Sequence, residues 1–177
     1  MIEGVIFDLD GTLVNLPINY DSLHHELQKL LKTVEIKPIT EAIPKLNDKQ
    51  RKALYQFWTR LEIDALPNVK VNKDGIRVYR KFCKKPSALV TLQGKEVVQR
   101  IMELVKLSFV IILTREDGFD RVEQIEAAIE KLGLKAQNVL MVGDRESDRK
   151  AAQKLGCQFL MIQNGKQMEK LLTQNLK

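Results

Sequence analysis

Five short runs along the chain are apolar on both faces: "GVIFDLD" (4–10), "SALVTLQ" (87–93), "SFVIILTRED" (108–117), "NVLMVGD" (138–144) and "QFLMIQN" (158–164). Runs of this kind suit strands of a parallel sheet that helices cover on both sides. Between them the apolar positions take helical spacing. Val97, Val98, Ile101, Met102 and Val105 share one face. Val122, Ile125, Ile129 and Leu132 share another, with Gly133 placed as a C-terminal stop. Ala151, Ala152 and Leu155 predict a short helix stopped by Gly156, and Met168, Leu171 and Leu172 a final one. The alternation predicts an α/β fold, a Rossmann-like parallel five-stranded sheet with helices on both faces.

Residues 15 to about 86 break that alternation. Leu23, Leu27, Leu30, Leu31 and Val34 form one helical stripe. Leu54, Phe57, Trp58 and Leu61 form a second, ended by Pro67, and Ile39, Ala42, Ile43 and Leu46 fit a short helix between them. No strand pattern occurs from residue 15 to 66. The expectation is a small all-helical insert after the first strand, followed by a helix within 72–84 that leads back to the sheet. The domains are then a core of residues 1–14 and 70–177 and a helical cap of residues 15–69.

At 177 residues and 44% hydrophobic content, the chain can pack one domain with a small second lobe. No segment reaches the roughly 18 apolar residues of a membrane span. No basic leader precedes an apolar stretch at the N-terminus, and Cys83 and Cys157 have no metal-type spacing. Free thiols in a cytoplasmic protein are expected. The net charge of +6 can steer anions towards a site. The basic residues are scattered and not interleaved with aromatics, so no nucleic-acid partner is expected, and no membrane partner either.

In an open parallel sheet, ligands bind beyond the carboxyl ends of the strands. The chemistry-bearing residues collect there. Asp8 and Asp10 end the first run, Thr91 the second, Thr114 to Asp117 the third and Asp144 the fourth, with Asp148 four residues on. Aspartates converging on one point cannot all stay ionised without a cation. Oxygen donors with no His or Cys nearby favour Mg²⁺. A calcium loop starting at Asp8 is excluded, because its fifth, sixth and twelfth positions hold Thr12, Leu13 and Asn19.

"DLDGTLV" at 8–14, Thr91 after a strand and "VGDRESD" at 142–148 resemble the first, second and fourth motifs of the haloacid dehalogenase superfamily. Their order matches, and the helical insert lies where that family carries its cap. The resemblance implies Asp8 as nucleophile, forming an aspartyl-phosphate, and Asp10 as general acid and base. It implies Thr91 as a ligand of a phosphoryl oxygen. Metal ligation would come from Asp8, the backbone carbonyl of Asp10, and Asp144, with Asp148 supporting the metal shell or a basic residue. Taken singly, Asp10-Gly11 also fits a turn, Thr91 a backbone-capping strand end, and Asp148 the first turn of a helix.

One motif departs from the family. The third is usually a lysine, and between Thr114 and Gly133 the only lysine is Lys131, deep in a helix. Arg121 is the candidate replacement. It stands in the first turn of a helix, where a cation opposes the helix dipole. Its structural alternative is a surface arginine paired with Glu123 or Asp117, and Arg115 is its rival for the role.

An acid two residues after the nucleophile marks the phosphatases and phosphomutases of the superfamily rather than its dehalogenases. The resemblance therefore implies a Mg²⁺-dependent phosphatase, phosphoglycolate-phosphatase-like, acting on a small phosphorylated metabolite as a monomer or homodimer. A phosphomutase and a non-catalytic phosphate- or partner-binding protein are the alternatives. Tyr20, His24, His25, Arg51 and Arg60 are cap residues that a substrate could meet, but each reads first as a solvated helix residue, while Phe57 and Trp58 read as core.

Overall fold

Every one of the five apolar runs forms a strand, and each strand stops short of its polar tail. The computed structural model describes residues 1–32, 39–162 and 169. In chain order, β1 (Gly4–Phe7) leads through the Asp8–Leu13 loop to the two-residue β2 (Val14–Asn15). Three helices follow: α1 (Tyr20–Leu31), α2 (Ile39–Ala42) and α3 (Asp48–Ala65). The chain returns through β3 (Lys70–Val71) and α4 (Lys73–Lys81). It then alternates through β4 (Ser87–Val90), α5 (Lys95–Val105), β5 (Ile111–Leu113), α6 (Arg121–Leu132), β6 (Val139–Gly143), α7 (Glu146–Leu155) and β7 (Gln158–Met161). The expected helix at Met168, Leu171 and Leu172, and the Val34 end of the first stripe, lie outside the described residues.

The main sheet has the order β5-β4-β1-β6-β7, and all its pairings are parallel. β1 is central, and all four of its residues are buried, as a strand covered on both faces requires. The chain runs from β1 outwards to β4 and β5, then crosses back to β6 on the other side of β1. The strand order thus reverses beside β1, and β1 ends in Asp8. Val5, Phe7, Leu89, Leu140 and Val142 pack one face against α5 and α4, while Ile6, Ala88, Val90, Val139 and Met141 pack the other against α6 and α7. Phe7 meets Tyr79 and Phe109 at tilted ring angles, with centroids 5.8 and 5.9 Å away.

The helical stop signals act where the pattern puts them. Gly133 and Gly156 close α6 and α7 in the left-handed conformation, at φ 67° and 82°. Asp120 caps α6 by accepting from the Val122 and Glu123 amides.

The helices between β2 and β3 bury an apolar cluster of their own. Leu23, Leu27, Ala42, Ile43, Leu46, Leu54 and Trp58 form it, and Leu92 and Phe119 from the strand-end loops pack against it. The pattern missed one feature. β2 and β3 pair antiparallel, Val14 with Val71 and Asn15 with Lys70, so Asn15 is strand where helix or loop was expected. A two-residue strand carries no period to read. The ribbon ties the entrance and exit of the helical segment together. Among the described residues no helix is long and apolar enough to cross a membrane.

Candidate active site

β1 stops at Phe7 because the chain must turn to reach β2. Gly11 takes that turn at φ +86°, and a Cβ there would lie 2.1 Å from Asp144 Oδ2. A glycine is therefore required both by conformation and by the approach of Asp144. The turn sets Asp8 and Asp10 at the sheet's carboxyl edge. β6 delivers Asp144 to the same edge, and the first turn of α7 delivers Asp148.

Asp8, Asp144 and Asp148 each offer a carboxylate oxygen, and these oxygens all lie within 4.8 Å of one another. Asp8 and Asp148 are buried and Asp144 is half-buried. Such crowding has an electrostatic cost. Burial, with the charges of Asp148 and Asp144 added, pushes the Asp8 carboxyl up to about 7 against the pull of Arg121. Burial also raises Asp144. Three converging carboxylates with no His or Cys among them form a hard-oxygen donor set, which fits Mg²⁺. The Asp10 carboxylate is not part of this set.

Arg121 reaches into the cluster from the start of α6. Its Nη2 donates to Asp8 Oδ1 at 2.8 Å, and its Nη1 donates to the Val90 carbonyl at 3.0 Å. Its Nε lies 3.0 Å from Asp148 Oδ1, a charge contact without hydrogen-bond alignment. The alternative surface pairings with Glu123 or Asp117 are not the ones it makes. The planar guanidinium spreads these contacts over three nitrogens, whereas a lysine would have to bring all its donors to one point.

Arg115 does not reach the cluster. Its side chain is fully buried and pairs with Glu62 of α3 at 2.7 Å. Thr91 is also fully buried at the end of β4, but its hydroxyl donates to the Gln93 side chain, and it does not line the cavity described below. Gln93 lines it instead, a residue the motif reading passed over.

Asp10 is held at both oxygens. Oδ1 accepts from the Leu16 amide at 2.8 Å and Oδ2 from the Tyr20 hydroxyl at 3.2 Å. Burial raises its pKa, and these two donors oppose the rise.

Asp8, Asp10 and Arg121 lie on one side of a cavity of about 650 Å³. Ile39, Trp58, Leu92 and Phe119 give it an apolar wall, and Arg145, Lys150 and Lys154 a basic rim along α7. Tyr20 and His24 line it as well. His25, Arg51 and Arg60 do not. Trp58 belongs to the core as expected, being 2% exposed, and still borders the cavity.

The crowded carboxylates have a consequence for stability. Asp8 has a folded-state pKa above its ordinary value, so proton binding there favours the fold in acid, and that contribution is lost as pH rises towards 7. A divalent cation competes for the same deprotonated oxygens. Mg²⁺ is expected to raise the melting temperature, by more at pH 8 than at pH 5.5, and Asp144→Asn to remove most of the gain. Thermal unfolding with Mg²⁺ or EDTA at the two pH values checks this, and a shift independent of pH would contradict it.

A family profile described as haloacid dehalogenase-like hydrolase matches residues 5–162. No curated protein sequence matches the chain. Among solved structures, a hydrolase from Pseudomonas syringae is similar at 17% identity and TM-score 0.67, over 94% of this chain and 89% of that one. A haloacid dehalogenase-like family protein from Streptococcus pneumoniae is 16% identical with TM-score 0.66, over 98% and 92%. A "predicted phosphoglycolate phosphatase" from Haemophilus somnus is 20% identical with TM-score 0.61, over 90% and 84%. Identities at this level speak for the fold, and the profile match over most of the chain speaks for the family: the chain belongs to the haloacid dehalogenase-like hydrolases.

Proposed function

We propose that this protein hydrolyses small phosphate monoesters with Mg²⁺, through an aspartyl-phosphate on Asp8, beneath a cap formed by residues 15–69. The observation that carries the reading is the setting of Asp8. It borders a cavity, has two further carboxylates within 4.8 Å, and has an arginine on one oxygen. The phosphatase named among the structural neighbours is consistent with it.

In this reading Asp8, Asp144 and the Asp10 backbone carbonyl hold the metal, supported by Asp148. When bound, Mg²⁺ supplies positive charge against the phosphoryl oxygens. The free oxygen of Asp8 attacks phosphorus and the ester P–O bond breaks. Protonated Asp10 gives its proton to the departing alkoxide, which leaves as alcohol. Asp10, now a carboxylate, takes a proton from the water that attacks the aspartyl-phosphate. Inorganic phosphate leaves and Asp8 is a carboxylate again. Arg121 offsets negative charge on Asp8 and the phosphoryl group throughout. The basic rim of Arg145, Lys150 and Lys154 favours anionic substrates. The lack of a motif lysine was the one feature favouring a non-catalytic protein, and the contact of Arg121 with Asp8 supports the catalytic reading instead.

The test is phosphate release from a panel of small alkyl and aryl phosphates, with Mg²⁺ and with EDTA. Metal-dependent release supports the proposal, and no release from any ester would overturn it. Arg121→Ala is expected to lower turnover by more than about tenfold, as loss of a charge-stabilising group does. Arg121→Lys should retain more activity than Arg121→Ala. A rate for Arg121→Ala near that of the wild type would remove Arg121 from the mechanism.

A further inference from the structure

Between Leu16 and Tyr20 the chain winds tightly. The Ile18 amide donates to the Leu16 carbonyl at 2.8 Å, and the Tyr20 amide to the Ile18 carbonyl at 3.1 Å. This winding brings the first residue of α1 back over the Asp8–Leu13 loop. The Tyr20 hydroxyl then donates to Asp10 Oδ2 at 3.2 Å, while the Leu16 amide donates to Oδ1 at 2.8 Å. Arg145 lies over the Tyr20 ring, 6.0 Å from its centroid. Asn19 caps α1 by accepting from the Ser22 amide, which fixes the helix start and with it the tyrosine. Tyr20 and Asp10 both border the cavity.

From this geometry we propose that Tyr20 is a positioning residue, holding the Asp10 carboxyl in the orientation from which it hands its proton to the leaving group. The proposal rests on the phosphatase reading above. Each carboxyl oxygen has room for two partners, so one hydrogen bond to each fixes the plane of the group and leaves positions open towards the cavity. When Asp10 gives up its proton, the Tyr20 hydroxyl is already in place to stabilise the carboxylate that forms. Burial and the nearby Asp10 both raise the Tyr20 hydroxyl above its ordinary value, so it remains a donor. The first turn of the cap therefore contributes to the proton transfer as well as closing the site.

Tyr20→Phe keeps the ring beneath Arg145 and removes the hydroxyl, together with the hydroxyl's own contact with Arg145. Its test uses two substrates: p-nitrophenyl phosphate, whose nitrophenolate departs without a proton, and an alkyl phosphate from the panel, whose alkoxide needs one. kcat/KM covers only the half-reaction up to departure of the alcohol, so it isolates this proton transfer. The ratio of kcat/KM for the alkyl ester to that for the aryl ester is expected to fall about tenfold in Tyr20→Phe, within the range of general-acid contributions. A merely structural role would lower both values together. An unchanged ratio, with the wild type active on both esters, would overturn the proposal and leave the phosphatase reading standing. A wild type that hydrolyses aryl but no alkyl esters would overturn it too, since no proton donor would then be at work. A wild type inert on every ester would overturn the phosphatase reading, and this proposal with it.

Discussion

Asp8→Asn is expected to abolish turnover on every phosphate ester while the protein stays folded. The substitution keeps the shape of the side chain and removes the oxygen proposed as nucleophile. It also removes one of three carboxylates that crowd within 4.8 Å. Burial and that crowding push Asp8 up to about 7, so at neutral pH the charged carboxylate costs the metal-free fold stability. The amide oxygen can still accept from Arg121 Nη2. A melting temperature at or above that of the metal-free wild type is therefore expected, along with a loss of at least about 10³-fold in kcat, the scale of losing a nucleophile. Phosphate release and thermal unfolding on the same preparation check both halves. Measurable turnover by folded Asp8→Asn would show that another group attacks phosphorus.

The opening pattern of the sequence reached this residue because the relevant information is local. A run apolar on both faces must be a covered strand, and Asp8 follows Phe7 with no residue between. Asp144 follows β6 in the same way. The parallel topology then brings both acids to one edge, since all five strands point the same way. Arg121 was legible by exclusion, as the one cation in the first turn of the helix that precedes β6. Its partners were not, because Asp8 lies 113 residues away and no local period links the two.

What stayed illegible depends on where side chains from different elements meet. Thr91 was expected at a phosphoryl oxygen, but Gln93, two residues on, accepts its hydroxyl, and a strand-end pattern cannot show that capture. Tyr20 was one of five cap residues within reach of a substrate, with nothing in the sequence to separate it from His25 or Arg60. The turns at Leu16 and Ile18 select it. Arg115 was the rival for the third motif, and the reason it fails is Glu62, 53 residues earlier on a helix of the insert.

That pair sets the second large effect. Neither side chain is exposed at all. Arg115 Nη1 donates to Glu62 Oε1 at 2.7 Å and to the Leu92 carbonyl at 3.2 Å, and Nη2 donates to the Thr59 hydroxyl. The guanidinium carbon lies 4.8 Å from the Trp58 ring centre and 5.5 Å from that of Tyr55. Glu62 Oε2 accepts from the Gly94 amide at 3.3 Å. A Cβ at Gly94 would lie 2.6 Å from Arg115 Nη2, so the loop gives way to the arginine. The loop after β5 is thus bound to the C-terminal part of α3, directly behind the apolar wall of the cavity.

Removing one partner leaves the other charge buried and unpaired. Arg115→Met is expected to destabilise the protein by about 3–5 kcal/mol, whereas Glu62→Leu combined with Arg115→Met should recover much of that loss. Urea unfolding of the wild type, the single variant and the double variant measures the difference. The pH dependence follows from Glu62. Burial already raises its pKa, and Arg115 opposes the rise. Without Arg115 the carboxyl rises further, above its unfolded value. A group raised in this way favours the fold when protonated and disfavours it as pH climbs through the folded value. The deficit of Arg115→Met should therefore shrink between pH 7.5 and pH 5. A deficit constant over that range would mean that lost packing against Trp58 and Tyr55, rather than an unpaired carboxylate, is what the arginine prevents.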